Sequence, residues 1–367
     1  MLHRFRWLAV FLCSSIACAQ VASATPYGTG CYRQRRAFYE LFGLGQPLDL
    51  AGTVATPGGI SLINTGTGFV ALPLFNAWHT AGASAQTLQL FDDSLTPPLP
   101  LGFSMSFPTG NTTTVVVGSN GYLYPHGGTG IEFNPNAAQF LGGPARLCAL
   151  WMDLNPTGLS GITWETDPGT ATAWLTFNAI PVFAGTAQST FQVALHGYGQ
   201  IDLLYGPCAR GPNNQLLIGW SPGGAAADPG SMDLSASLPF LTANADSDPL
   251  TLSALGRPVL GTTMNLIVGT MPAGTQGAII AFGSQQIPAG TDMAALGMSG
   301  CRQYVGGLGD LSILPSPGPS VTLPVAVPNN AALLGITAFA QAVASAPGRN
   351  TAQLIASNAL SLLVGAQ

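Results

Sequence analysis

Three imidazoles lie beyond the first few residues, His79, His126 and His196, and none has a Cys, His or Glu at metal spacing, so no zinc site is expected. A serine nucleophile would need a sharp turn of the Gly-x-Ser-x-Gly kind. Gly297-Met298-Ser299-Gly300 comes nearest and fails at Cys301. Carboxylates gather best at Glu165 and Asp167, with Glu132 earlier in the same region. Glycosidases hold two carboxylates ~5 to 9.5 Å apart, so a pair drawn from these three would define a hydrolase. Asp before Pro-Gly is also ordinary turn chemistry, and a solvated hairpin turn is the expectation. Asn244, Asp246 and Asp248 alternate, a spacing that can turn oxygens toward Ca²⁺, although the Gly and distal Glu of a helical calcium loop are missing. No cofactor is expected, calcium at this stretch being the one exception left open, and no catalytic residue is assigned. Neither a dinucleotide fingerprint nor a phosphate-cradling loop occurs.

Aromatic side chains offer a different chemistry, because Trp and Tyr stack on sugar rings while hydroxyls meet Asn and Asp. Tyr122, Tyr124, His126 and Trp164 are the candidates, with core packing as the simpler fate for the tyrosines.

The first 24 residues have the parts of a secretory leader: Arg4 and Arg6, an apolar run from Trp7 to Ala17, and small residues ending at Ala22-Ser23-Ala24. Cleavage is expected before Thr25. Cleavage after Ala19 and lipidation of Cys18 are the alternatives. The apolar run is shorter than the ~20 residues a bilayer needs, so no transmembrane span is expected and the protein should be secreted or held at the cell surface. The chain has no lysine, ten arginines and fifteen acidic residues, with a formal net charge of −5. That balance argues against nucleic acid or an anionic membrane as partner. With 47% hydrophobic residues the chain should fold despite its 47 Gly and 29 Pro.

Four cysteines remain outside the leader, Cys31, Cys148, Cys208 and Cys301. An even count in an exported chain favours two disulfides, and three pairings are open. Cys148 with Cys208 is favoured because both fall in one proposed domain. Cys31 with Cys301 follows by elimination, free buried thiols being its alternative.

The elements that would position these groups read as strands. After an Arg-rich stretch, Tyr32 to Phe42, that suits one or two helical turns, short apolar runs alternate with Gly, Pro, Asn and Asp. Ile60 to Leu62 and Phe69 to Leu72 flank a Thr-Gly-Thr-Gly turn and read as a hairpin. Further strands are expected at 87–91, 101–107, 113–117, 171–177, 190–195, 200–205, 216–220, 263–268, 278–282, 301–305 and 320–327. In one of them Trp174, Thr176 and Asn178 share a face opposite Leu175 and Phe177. Residues 331–346, bracketed by Pro328 and Pro347, read as a strand paired with 353–364. The expected fold class is all-β, two antiparallel β-sandwich-like domains. Their division is 1–24 leader, 25–59 N-terminal segment, 60–235 first sandwich, 236–250 linker and 251–367 second sandwich.

In the middle of the chain an ordered set of phrases resembles the nidogen-like extracellular domain of exported bacterial proteins. They are Phe91-Asp92-Asp93, Leu101-Gly102-Phe103, Ser119-Asn120-Gly121-Tyr122, Leu150-Trp151-Met152-Asp153-Leu154-Asn155-Pro156, Thr190 to Val193, Gln200 to Tyr205 and Ile218-Gly219-Trp220. Read physically, Asn120-Gly121 makes a tight hairpin, Trp151 fills a core between sheets, and Asp153 and Asn155 cap the turn before Pro156. The resemblance implies an extracellular β-sandwich in proteins of adhesion or matrix organisation, with no catalytic residues to carry over. The Cys-rich small repeats that accompany the domain in animal proteins are absent. From about Leu250 the chain is similar to a C-terminal module of exported bacterial proteins that carries no known function. The reading is a non-catalytic binding or adhesion module for an extracellular protein or glycan; a glycan hydrolase using Glu132, Glu165 or Asp167, and a structural envelope component, are the alternatives.

Overall fold

The computed structural model describes residues 20–367 apart from 159–160, 212–213 and 317. They form two compact units, 34–246 and 20–33 together with 247–367. In chain order the second unit opens with β1 (Ser23–Tyr27). The first unit follows with β2 (Phe38–Phe42), β3 (Gly58–Asn64), β4 (Phe69–Pro73), β5 (Gln86–Thr87), β6 (Leu99–Phe107), β7 (Gly110–Gly118), β8 (Tyr122–Tyr124) and helix α1 (Ala137–Gly142). It continues through β9 (Arg146–Trp151), β10 (Ile162–Asp167), β11 (Thr172–Pro181), β12 (Gln188–His196), β13 (Gln200–Cys208), β14 (Leu216–Ser221), helix α2 (Leu234–Ser237) and β15 (Phe240–Leu241). The chain then returns to the second unit with β16 (Thr251–Leu255), β17 (Thr263–Gly269), β18 (Gly277–Asp292), β19 (Arg302–Pro315), β20 (Val321–Ala326), β21 (Thr337–Ser345) and β22 (Leu354–Leu363). The fold is all-β, as the spacing of turn residues implies.

In the first unit an eight-stranded sheet, β15-β4-β3-β13-β12-β11-β10-β5, and a six-stranded sheet, β2-β14-β9-β8-β7-β6, share one apolar core. Period-2 alternation sends Leu175, Phe177, Phe191, Val193, Ile201 and Leu203 inward from the large sheet to meet Val115, Leu147, Ile218 and Trp220 from the other. Phe69 packs edge-on to Trp220 at 5.4 Å, and the Tyr205 hydroxyl donates across the layers to the Ala149 carbonyl at 2.6 Å. A second apolar cluster lies on the outer face of the six-stranded sheet, where Phe140 and Leu141 of α1 cover Tyr122, Tyr124, Cys148 and Trp151.

In the second unit the five-stranded sheet β1-β22-β21-β18-β19 and the three-stranded sheet β16-β17-β20 enclose a core of Leu252, Met264, Leu266, Ile280, Ala342 and Leu360. Residues 337–345 pair with 354–363 as expected, and Ala331–Leu333 makes a single 3₁₀ turn before them. The expected disulfide Cys31–Cys301 closes this unit.

Several expectations need correction. Residues 38–42 are strand β2, not helix: they pair with β14 from Phe38–Trp220 to Phe42–Leu216, with Phe38 and Phe42 facing the inter-sheet core and Tyr39 the outer cluster. The segment 25–59 is not a unit of its own: residues up to Arg33 join the second unit, and the rest joins the first. Nor is 236–250 a free linker, since Phe240 and Leu241 pair with β4 and Leu250 is fully buried. Residues 1–19 of the expected leader lie outside the described residues, Cys18 included. Ser23 and Ala24, however, pair with Leu363 and Leu362, and Ala22 is 1% exposed, so a cut before Thr25 would remove two of the five residues of β1; a cut after Ala19 leaves it whole. Trp151 fills the outer cluster rather than the core between the sheets, where Trp220 sits instead. Cys148 and Cys208 are free thiols. Cys148 points from β9 into the outer cluster while Cys208 ends β13 in the other sheet, so their sulfurs have no common side. Burial pushes both thiols up to about 12.

Candidate functional site

The outer face of the eight-stranded sheet carries the polar half of the alternation: Thr163 and Glu165 on β10, Trp174, Thr176 and Asn178 on β11, Gln192 and His196 on β12, Asp202 on β13 and Ser61 on β3. Such groups need partners once covered, and the chain from Leu74 to Ala85 supplies them. Asn76 Nδ2 donates to Asp202 Oδ2 at 2.7 Å. Gln192 grips the loop twice, accepting from the His79 amide at 2.9 Å and donating to the His79 carbonyl at 2.9 Å. Glu165 meets His79 Nε2 at 2.8 Å, the Gly82 amide at 2.9 Å and the Ser84 hydroxyl at 2.6 Å. The His79 ring lies on Trp174 with centroids 3.8 Å apart and planes 14° off parallel. A loop with no regular hydrogen bonding of its own is thereby fixed at three points.

Electrostatics follow from these bonds. The Ser84 hydroxyl, then the Gly82 amide, then His79 hold the Glu165 carboxyl down at about 2 against a smaller opposing effect of burial. Burial pushes Asp202 upward, but His196, Ser61, Asn76 and Gln200 together outweigh it and leave that carboxyl below its ordinary value. Both carboxylates are therefore ionised and occupied by donors.

Beside the fixed loop is a groove of about 290 Å³. Half-buried Trp78 and His79 form one wall with Thr80, and Thr163, Thr176 and Asn178 rise from the sheet. A depression of about 400 Å³ near Asn155 and Thr157 has no aromatic wall, its lining being Pro181, Val182 and small residues.

A separate cluster gathers the phrases that stood out in the sequence. Asp92, Asp93 and Asp153 bring carboxylate oxygens within 4.8 Å of one another. Asn120, fully buried in the turn before β8, organises the cluster: its amide donates to Asp93 Oδ1 at 2.8 Å and its oxygen accepts from the Leu154 amide at 2.8 Å. Only Gly121 of the Asn-Gly pair has positive φ, +78°, and a Cβ there would meet the Leu150 carbonyl at 2.2 Å. Burial, then Asp93 and Asp92, push Asp153 up to about 6, and Asp92 is raised likewise. Asp92 Oδ1 is buried without a hydrogen-bond partner among the described residues. Asn155, as expected, caps the turn by accepting from the Thr157 amide.

The remaining candidates disperse. Of Asn244, Asp246 and Asp248, Asp246 is taken by the Arg36 amide and guanidinium and by the Ala227 amide, at 2.9, 3.0 and 3.1 Å, so both of its carboxylate oxygens are already engaged. Glu132 pairs with Arg146, a fully buried arginine stacked over Tyr122, Tyr124 and Trp151 at 4.7–5.3 Å, whereas Glu165 is on the other sheet. Asp167 caps its turn through Gly169 and Thr170. Of the expected aromatic contacts Tyr122, Tyr124 and Trp164 are buried, and His126 bonds Thr109 at 2.9 Å. Sequence reasoning passed over Trp78 and weighed His79 only as a metal ligand. Their signal was a Trp-His pair in a loop that leaves the sheet at Pro73 and faces a strand with Trp174, Thr176 and Asn178 on its wet side.

These features define a class: an antiparallel β-sandwich module whose outer sheet face holds a fixed loop, borne on a chain with a disulfide-closed second sandwich. Within it, residues 72–252 match the family described as NIDO related, and this part of the chain is a nidogen-like domain. The second unit beyond Leu252 lies outside that match. Comparison with the curated proteins and with the solved structures gives no match for the chain.

Proposed function

We propose that this protein is an exported, non-catalytic binding module that works outside the cell, attaching to an extracellular protein or glycan. The NIDO-related domain and the Cys31–Cys301 bridge support an extracellular setting. No helix among the described residues is long and apolar enough to cross a membrane. One observation carries the binding role: the loop 74–85 is clamped to the sheet by Asp202, Gln192 and Glu165, which presents Trp78 and neighbouring hydroxyl and amide groups in a preformed groove. The same clamp speaks against a hydrolase, because a carboxyl held at about 2 is a poor proton donor near neutral pH and no carboxylate is among the described residues that line the groove. The purified mature chain should therefore bind to cells, matrix proteins or an immobilised glycan panel without cleaving it. Turnover of a polysaccharide panel that disappears in Glu165→Gln would overturn the reading, as would failure to bind any of the three surfaces.

A further inference from the structure

We infer that the groove beside Trp78 is a carbohydrate subsite selective for neutral sugars, an inference that rests on the binding-module reading and gives it a ligand class. A sugar ring has an apolar C–H face and a rim of hydroxyls, so its site needs a flat aromatic surface with hydroxyl and amide groups at the edge. Trp78, with Thr80, Thr163, Thr176 and Asn178 around the same cavity, is that combination. Thr176 Oγ1 already accepts a hydrogen bond from Gln192 Nε2 at 2.8 Å, so its own proton is free to be aimed at a sugar oxygen. Asn178, exposed on the strand, adds an amide able to give and accept. About 290 Å³ lies at the small end of ligand sites, room for a sugar unit or two rather than a large cofactor.

Charge decides which sugar. No Arg lines the groove, and the chain has no lysine to reach it. Behind the wall Glu165, ionised, is joined to His79 at 2.8 Å. A uronate, sialyl or phosphorylated sugar would find no counter-charge and one repulsive carboxylate, whereas a neutral hexose loses nothing. Pre-organisation adds to this: with His79 held through its backbone by Gln192 and through its ring by Glu165 and Trp174, the wall does not have to be ordered on binding.

Calorimetric titration of the full mature chain with cellohexaose, laminarihexaose and mannohexaose tests this, with a hexamer of galacturonic acid as the anionic arm. At least one neutral hexasaccharide should bind with Kd under 1 mM and at least ten-fold more tightly than the uronate. Trp78→Ala should weaken that binding ten-fold or more, Trp78→Phe should recover most of it, and Asn178→Ala should weaken it by a smaller factor, with unchanged circular dichroism in all three. Tighter binding of the uronate, or unchanged binding in Trp78→Ala, overturns the subsite. Absence of binding to every neutral oligosaccharide overturns it too. If the oligosaccharide titrations fail while the unmodified chain still attaches to cells or matrix proteins, the module reading stands and the subsite falls; if the unmodified chain attaches to nothing, both fall.

Discussion

Glu165 and Asp153 are both carboxylates of the same sandwich, yet their surroundings push them in opposite directions. Glu165 is surrounded by donors and held at about 2; Asp153 faces two other carboxylates and rises to about 6. The consequences for stability have opposite signs. A carboxyl whose folded pKa is depressed stabilises the fold above its ordinary value near 4.5, and that contribution is lost as pH falls from there toward 2. A carboxyl whose folded pKa is raised costs stability as pH rises from about 3.8 to about 6. In metal-free buffer Glu165→Gln should therefore lower stability at pH 7 by about 1–2 kcal/mol, the difference between charge-assisted and neutral hydrogen bonds, with the deficit shrinking below pH 4. Asp153→Asn should raise Tm at pH 7.5 and leave it unchanged at pH 4. Thermal melts of both variants across pH 3 to 8 check this, and parallel rather than opposed pH profiles would refute it.

Among the elements, the loop from Leu74 to Ala85 is held by side chains of the sheet rather than by a regular hydrogen-bond ladder of its own. Its hold is concentrated in Gln192, whose side chain satisfies both the amide and the carbonyl of His79. Gln192→Ala leaves β12 paired on both sides but frees that peptide, so the His79 amide should exchange with solvent roughly ten-fold faster or more, as expected for a lost bond of about 1.4 kcal/mol. Amides in the centres of β11 and β12 should keep their protection, and a uniform loss across the sheet would show that the residue supports the core instead. The strands behind this loop were legible because one side of each faces the core and the other does not: Leu175 and Phe177 against Trp174 and Thr176 give period 2 directly. β2 was not, because Phe38, Tyr39 and Glu40 are all buried, with a different cluster on each side, and no alternation survives. For the same reason Trp151 could be recognised as core-forming without the sequence telling which of two cores it fills. The site was less legible than the fold. Trp78 sits in a loop without periodicity, and the link from Glu165 to Ser84 spans 81 residues, a proximity that only sheet registration creates.

At the scale of the whole molecule, the nidogen-like unit is an insertion, since the second unit takes its first strand from residues before it and seven more from residues after it. Within the inserted unit the two ends of the chain meet: the Arg36 amide donates to Asp246 Oδ1 at 2.9 Å and the Ala243 amide to the Arg35 carbonyl at 2.9 Å. An insertion whose ends meet does not force its host apart, and it shortens the effective loop that Cys31–Cys301 closes. Although 270 positions separate the two cysteines, most of them belong to a body that already holds its own ends together. The bridge should thus be worth the roughly 3–5 kcal/mol of a loop of some tens of residues, and that stabilisation should belong to the second unit alone, because both sulfurs and the core they join lie there. Differential scanning calorimetry of the unmodified chain and of Cys31→Ala with Cys301→Ala, with proteolytic mapping of the fragment that survives, separates the units. The double variant should lose the transition of residues 20–33 with 247–367 to lower temperature by several degrees or more while 34–246 melts where it did and resists the protease. A matching fall in both transitions would mean that the inserted unit depends on its host for stability, and would remove the argument that its own closed ends are what make the insertion tolerable.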